Sequence, residues 1–167
     1  MGINRIDALK HKKFKEAIHP FLLKIMTSKT TGDLVVDGEL PKDEKFLIVA
    51  NHLCIEDIPT LGQAVQDHIF VLVSDEDKKT LDGLALSLNG VQWVTRLDKE
   101  SRKMASQNAV NILKSGEIFA MYPEATWNLS PNLLMLPMNY GCIKIALESN
   151  VPIVPVVTFF SSGNRYT

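Results

Sequence analysis

An imidazole and a carboxylate are separated by four intervening residues in Asn51-His52-Leu53-Cys54-Ile55-Glu56-Asp57. Such a pair suits a general base. The carboxylate holds one ring nitrogen and leaves the other to take a proton from a substrate hydroxyl near neutral pH. The spacing sets a condition, because five positions along a continuous α-helix rotate by about 140° and would put the two side chains on different faces. The chain must therefore turn between them. A strand ending at Ala50, a turn carrying His52 and a helix starting near Glu56 satisfy this. The local alternative is a strand-end histidine bonded to its own neighbourhood, with Asp57 serving only a helix N-terminus. Three further stretches offer reactive or binding groups. Met121-Tyr122-Pro123-Glu124-Ala125-Thr126-Trp127-Asn128 presents the Glu124 carboxylate and the Thr126 hydroxyl. Val91-Gln92-Trp93-Val94-Thr95-Arg96 ends on a guanidinium suited to phosphate. Val151-Pro152-Ile153-Val154-Pro155-Val156 sets two prolines around an apolar pair.

The apolar runs 46–50, 69–73, 91–94, 117–122 and 153–157 read as buried strands. Patterns at helical spacing fall between them, over about 56–67, 77–88, 99–115 and 138–149. This order predicts an α/β fold, a mostly parallel central sheet flanked by helices, with ligands gathering at the carboxyl ends of the strands. Residues 1–30 form a separate basic amphipathic helical segment, interrupted at Pro20 and so expected as two short helical pieces. Residues 31–167 form the single catalytic domain.

The 167 residues, 46% hydrophobic and 22% charged, fit one globular domain with a sizeable core and exclude wholesale disorder. The net charge of −1 argues against nucleic acid as a partner. That average conceals an asymmetry. Residues 1–30 carry seven basic side chains (Arg5, Lys10, Lys12, Lys13, Lys15, Lys24, Lys29) against Asp7 and Glu16, a balance of +5. The remainder carries eleven basic against seventeen acidic, a balance of −6. The basic segment fits either an anionic membrane surface or a solvated helix face packed on the domain. The two cysteines, Cys54 and Cys142, lack disulfide-framework or zinc spacing, so a reducing cytosol and no metal are expected. Neither a bilayer-spanning run nor a signal peptide is evident. Asn128-Leu129-Ser130 matches a glycosylation sequon that a cytosolic chain would not use. His11, His19 and His68 have no evident partners and are expected as surface or helix residues.

Taken in order, these blocks resemble the glycerolipid acyltransferase family, which includes 1-acylglycerol-3-phosphate acyltransferases. Asn51-His52 with Asp57 is similar to the family's N-H-x4-D block, and Gly90 to Arg96 to its second block. Tyr122-Pro123-Glu124-Ala125-Thr126 is similar to F-P-E-G-T-R-S, and Val151 to Val156 to V-P-I-V-P-V. The resemblance spans residues 51–156. It implies transfer of a fatty acyl group from a thioester, acyl-CoA or acyl carrier protein, to the hydroxyl of a lipid acceptor. His52 would be the general base and Asp57 its orienter, with no covalent enzyme intermediate and no cofactor beyond the thioester co-substrate. The resemblance further implies that Arg96 binds phosphate, that Glu124 shapes the acceptor site with Thr126 beside it, and that Cys54 is packing. The protein would work peripherally at the cytoplasmic face of the inner membrane surface.

Two departures bear on the acceptor. The family's glycine and arginine of the third block are here Ala125 and Trp127, and an indole does not replace a bidentate contact to phosphate. Trp127 instead suits stacking on a sugar, a place along an acyl chain, or ordinary packing. Ser74-Asp75-Glu76-Asp77 stands where many relatives carry a basic residue. Most relatives also continue beyond the fourth block, so the chain is expected to be either a short member or a truncated one lacking part of the acyl pocket. A glycolipid or glycan hydroxyl is therefore a second acceptor class, and a catalytically silent lipid-binding module a third reading.

Overall fold

The computed structural model describes residues 33–42 and 44–159, with residues 17, 19–21 and 24 of the N-terminal segment. In chain order the elements are β1 (Leu47–Ala50), α1 (Asp57–Val65), β2 (Ile69–Ser74), a 3-10 turn (Asp75–Asp77), α2 (Leu81–Leu88), β3 (Gln92–Val94), α3 (Lys99–Lys114), β4 (Ile118–Met121), α4 (Gly141–Ser149) and β5 (Ile153–Val156). The five strands form one sheet in the order β3-β2-β4-β1-β5, and every neighbouring pair is parallel.

Successive strand residues point to opposite faces, and both faces are covered. Phe46, Ile48, Ala50, Ile69, Val71, Ile118 and Ala120 pack on one side with Leu61 of α1 and Leu86 of α2. Leu47, Phe70, Phe119 and Met121 pack on the other with α3 and α4, through Ala109, Val110, Leu113, Ile145 and Ala146. Double burial is why β1, β2 and β4 read as unbroken apolar runs rather than alternating ones, whereas β5, at the end of the sheet, keeps Ile153 and Pro155 exposed. The expected α/β class with helices on both faces is what the chain adopts.

Helix boundaries differ from expectation where side chains cap the ends. The helix expected from residue 77 begins at Leu81, because Asp75–Asp77 closes a 3-10 turn and the Thr80 hydroxyl accepts from the Gly83 N–H at 2.9 Å. The one expected from 138 begins at Gly141, because Asn139 is drawn back to the Pro123 carbonyl by its backbone and side-chain N–H groups, both at 2.9 Å. In the N-terminal segment Ala17, His19, Pro20, Phe21 and Lys24 are helical, so Pro20 itself lies in helical backbone. The division into two pieces, the amphipathic face and His11 lie outside the described residues.

His19 and His68 depart from expectation, since both have partners. His68 is fully buried and its Nε2 meets the Asn89 carbonyl at 2.7 Å, while His19 Nδ1 meets Asn89 Oδ1 at 3.1 Å. The two rings also touch edge to face at 5.1 Å. Lone histidines on apolar stretches carry no sequence signal of a partner 21 or 70 residues away.

Candidate active site

Parallel register brings the two principal motifs together. Val49 of β1 pairs with Met121 of β4, so three residues further along each chain His52 and Glu124 leave the sheet side by side at its carboxyl edge. Glu124 Oε1 accepts the backbone N–H of His52 at 2.7 Å, and Oε2 accepts that of Leu136 at 2.7 Å. The carboxylate is buried. Both of its oxygens are therefore committed to backbone, and Glu124 acts as a strut between the histidine turn and the loop after β4. The His52 carbonyl in turn accepts the Asn128 N–H at 2.7 Å, so His52 is gripped on both sides of its Cα by the same loop.

The turn that the spacing demands is present. Asp57 opens α1, and its side chain folds back over the preceding residues, 1% exposed. Oδ2 lies 2.8 Å from His52 Nδ1 and also accepts the N–H groups of Leu53 at 2.6 Å and Cys54 at 3.0 Å. Three donors on one oxygen fix both the turn and the imidazole. Because an ionised carboxylate only accepts, Nδ1 carries the proton and Nε2 the lone pair. The His52 side chain keeps 17% of its surface, and Nε2 has no protein partner among the described residues. Beneath it the Tyr122 ring stacks at 4.4 Å and 22°, and Trp127 meets it edge-on at 6.2 Å and 81°. Tyr122 is buried, and desolvation, with the Asp57 charge adding, holds its phenol well above its ordinary range. It is a neutral platform.

Cys54 points at the same carboxylate, Sγ lying 3.7 Å from Asp57 Oδ1. Burial first, then its hydrogen bond to Glu56 and the Asp57 charge, push its thiol up to about 12. A thiol so disfavoured as thiolate is a poor nucleophile at neutral pH.

The other expected site residues are less closely assembled. Thr126 is exposed on the loop after β4, and its side chain has no hydrogen-bond partner among the described residues. Arg96 is exposed two residues beyond β3, and its carbonyl accepts from Arg102. Since β2 and β4 separate β3 from β1, Arg96 leaves the sheet about 14 Å from His52, three strand spacings away. Between them Asp75, at the end of β2, takes the Thr95 hydroxyl at 2.5 Å. Among the described residues no cluster of His, Cys, Asp and Glu is arranged to hold a metal ion.

Three residues of this site have structural roles that the sequence does not assign. Tyr122 and Asn128 act on His52 by stacking and by a backbone bond. Asn51 ties the end of β1 to the chain beyond β5, its Nδ2 donating to the Thr158 carbonyl at 2.9 Å and its Oδ1 accepting the Thr158 N–H at 2.8 Å. A neighbouring histidine motif hints at the importance of Asn51, but a bond spanning 107 positions is legible only in the fold. Asn128, the sequon residue, is buried with Nδ2 on the Leu133 carbonyl and Oδ1 on the Ser130 N–H, and its amide is thus structural.

Comparison with known proteins finds acyltransferases. Over 157 residues the chain is 27% identical to the chloroplastic 1-acyl-sn-glycerol-3-phosphate acyltransferase of Brassica napus, an alignment covering 90% of this chain and 45% of that protein. It is 29% identical over 132 residues to the 1-acyl-sn-glycerol-3-phosphate acyltransferase of Saccharomyces cerevisiae, covering 75% of this chain and 42% of that one. The crystal structure of PlsC, the 1-acyl-sn-glycerophosphate acyltransferase of Thermotoga maritima, superposes with a TM-score of 0.64 at 27% identity, over 91% of this chain and 61% of that one. The chain thus spans about half the length of the curated relatives it matches. Residues 34–158, which contain the whole sheet and both parts of the histidine–aspartate turn, match the Acyltransferase family, and the chain belongs to it.

Proposed function

We propose that this chain transfers a fatty acyl group from a thioester, on coenzyme A or acyl carrier protein, to the free hydroxyl of a lysophosphatidate-type acceptor, with His52 as general base. One observation carries the reading: in a chain of this family, His52 is held through Nδ1 by a fully buried carboxylate while Nε2 remains available at the carboxyl edge of the sheet. The names of the relatives supply the acceptor class.

Nε2 takes the hydroxyl proton as the acceptor oxygen attacks the thioester carbonyl, so the imidazole becomes cationic where the Asp57 charge favours it. The tetrahedral adduct collapses with loss of the C–S bond. The departing sulfur takes the proton back from Nε2, leaving an ester, a free thiol and the starting enzyme. Cys54 plays no covalent part, and the chemistry is complete with the co-substrate alone. Arg96 supplies the cation for an acceptor phosphate. Thr126 and Trp127 line the same edge, and Glu124 acts indirectly, as a positioning residue for His52.

Trp127 favours a second acceptor class. It stands half exposed against the His52 ring, at the position where the F-P-E-G-T-R-S block has its arginine, and the Asp75 carboxylate directly follows β2, the strand between β3 and β4. An indole and a carboxylate suit a sugar hydroxyl better than a phosphate. A silent lipid-binding module has no comparable support, since nothing in mere binding calls for an imidazole with a buried orienter.

The test offers the protein acyl-CoA or acyl carrier protein thioester with lysophosphatidate and, separately, with a total lipid extract, and follows products by mass spectrometry. Phosphatidate formation supports the first acceptor class, and an acylated glycolipid selects the second. No acylated product with either donor contradicts acyl transfer.

A further inference from the structure

Between Tyr122 and Tyr140 the chain forms neither helix nor strand, and from Ala125 to Ile143 it contains no Asp, Glu, Lys or Arg. Six large apolar or aromatic side chains of this loop stand out of the core: Trp127, Leu129, Leu133, Leu134, Met138 and Tyr140, with Leu129 at 77% and Leu134 at 87% exposure. The backbone that presents them is fixed. Asn128 ties the loop to itself through Leu133 and Ser130, Leu136 is bound to Glu124, and Asn139 to Pro123. A loop built this firmly, yet turning leucines and a methionine to solvent without one charge among them, is shaped for a surface that is itself apolar.

Among the described residues of the N-terminal segment, His19 lies away from this loop. His19 rests on Asn89 and His68, which precede β3 and β2 at the amino edge of the sheet, whereas the loop leaves β4 at the carboxyl edge. The loop's own chemistry specifies the occupant. Trp127 and Tyr140 bracket the leucines, as aromatic rings do at a bilayer interface, and the absence of charge removes the chief penalty for entering the headgroup boundary. A protein partner would commonly meet a rim that includes charged groups, and this stretch has none.

We propose that residues 127–140 insert into the interfacial layer of a lipid bilayer and thereby seat His52 at the membrane surface. His52 follows the loop because its N–H and carbonyl are each one hydrogen bond away, through Glu124 and Asn128. The purpose of this contact rests on the lipid acceptor proposed above, but its measurement needs no turnover.

Trp93→Phe leaves Trp127 as the sole tryptophan of the full chain. Its emission is followed with phosphatidylcholine vesicles whose acyl chains are plain or brominated near the carbonyl, in about 0.5 M NaCl so that the basic residues 1–30 are screened. Bromine-dependent quenching is expected. It should disappear in the added double variant Leu129→Asp/Leu134→Asp, whose exposed sites leave circular dichroism and thermal melting unchanged. Co-sedimentation of the unsubstituted chain with the same vesicles, lost in L129D/L134D, reports the same contact with both tryptophans in place. Emission indifferent to bromine overturns the proposal, as does quenching that survives the double variant. So does a concentration-dependent dimer abolished by L129D/L134D without any vesicle binding. Quenching without acyl transfer in the assay above would remove the enzymatic reading and keep the loop, and transfer without quenching would do the reverse.

Discussion

Asp57 does two jobs with one oxygen, organising the turn through the Leu53 and Cys54 N–H groups and orienting His52 through Nδ1. Replacing it with Asn separates the two. The amide oxygen still accepts from backbone, but the charge that stabilises the imidazolium and selects the tautomer is gone. Asp57→Asn is therefore expected to lower kcat by on the order of 10³-fold or more while the chain stays folded. Steady-state kinetics beside a thermal melt checks this, and activity within tenfold of the parent would deny the orienting role. Cys54 gives the complementary case. With its thiol pushed up to about 12, the proton stays on until strongly alkaline pH, so the thiolate is scarce at pH 7 and grows tenfold per pH unit below that value. Cys54→Ala is expected to retain activity within about threefold, and iodoacetamide should label Cys54 on the order of 10³-fold more slowly than free cysteine at pH 7.5. Rapid, inactivating alkylation of Cys54 would argue for a covalent role. The contact between His52 and Asp57 was legible as an H-x4-D pattern, because a carboxylate and an imidazole that can pair stand out by type and spacing. Tyr122 and Asn128 were not, because stacking and backbone bonding use features that many residues share.

At the scale of elements, the β1–β4 register is what makes two distant motifs neighbours, and Glu124 is the pin between them. Glu124→Gln keeps one acceptor oxygen and sets an amide N–H₂ against a backbone N–H, so one buried donor loses its partner. The expected loss is about 1–3 kcal/mol of stability in urea titration, with a fall in kcat because His52 is no longer held. Unchanged stability would mean the strut is not needed. At the next residue, Ala125 sits at φ +58° with its N–H bonded to the Tyr122 carbonyl, a left-handed conformation that glycine adopts without strain. Ala125→Gly is expected to raise stability by about 0.5–1 kcal/mol, less than the full strain because glycine also loosens the unfolded chain. Destabilisation by the same amount would refute strain at that site. β1, β2 and β4 were legible in the sequence because strand residues covered on both faces form unbroken apolar runs. The starts of α2 and α4 were not, since they depend on Thr80 as a cap and on the Asn139–Pro123 tie.

For the molecule as a whole, the sheet divides the labour between its two edges. The amino edge holds His19, His68 and Asn89 in a buried polar cluster. The carboxyl edge carries His52, the strut, the charge-free loop and, farther along, Arg96. Among the described residues no helix is long and apolar enough to cross a membrane. The central claim is that acyl transfer depends on the His52 imidazole. His52 is anchored through backbone atoms, so His52→Ala removes the base while leaving its N–H on Glu124 and its carbonyl on Asn128. The most direct measurement is the rate of phosphatidate formation from acyl-CoA and lysophosphatidate by the parent and by H52A, each shown to be folded by circular dichroism. A folded H52A whose rate falls to background agrees with the account, and a folded H52A that forms product at the parent's rate contradicts it.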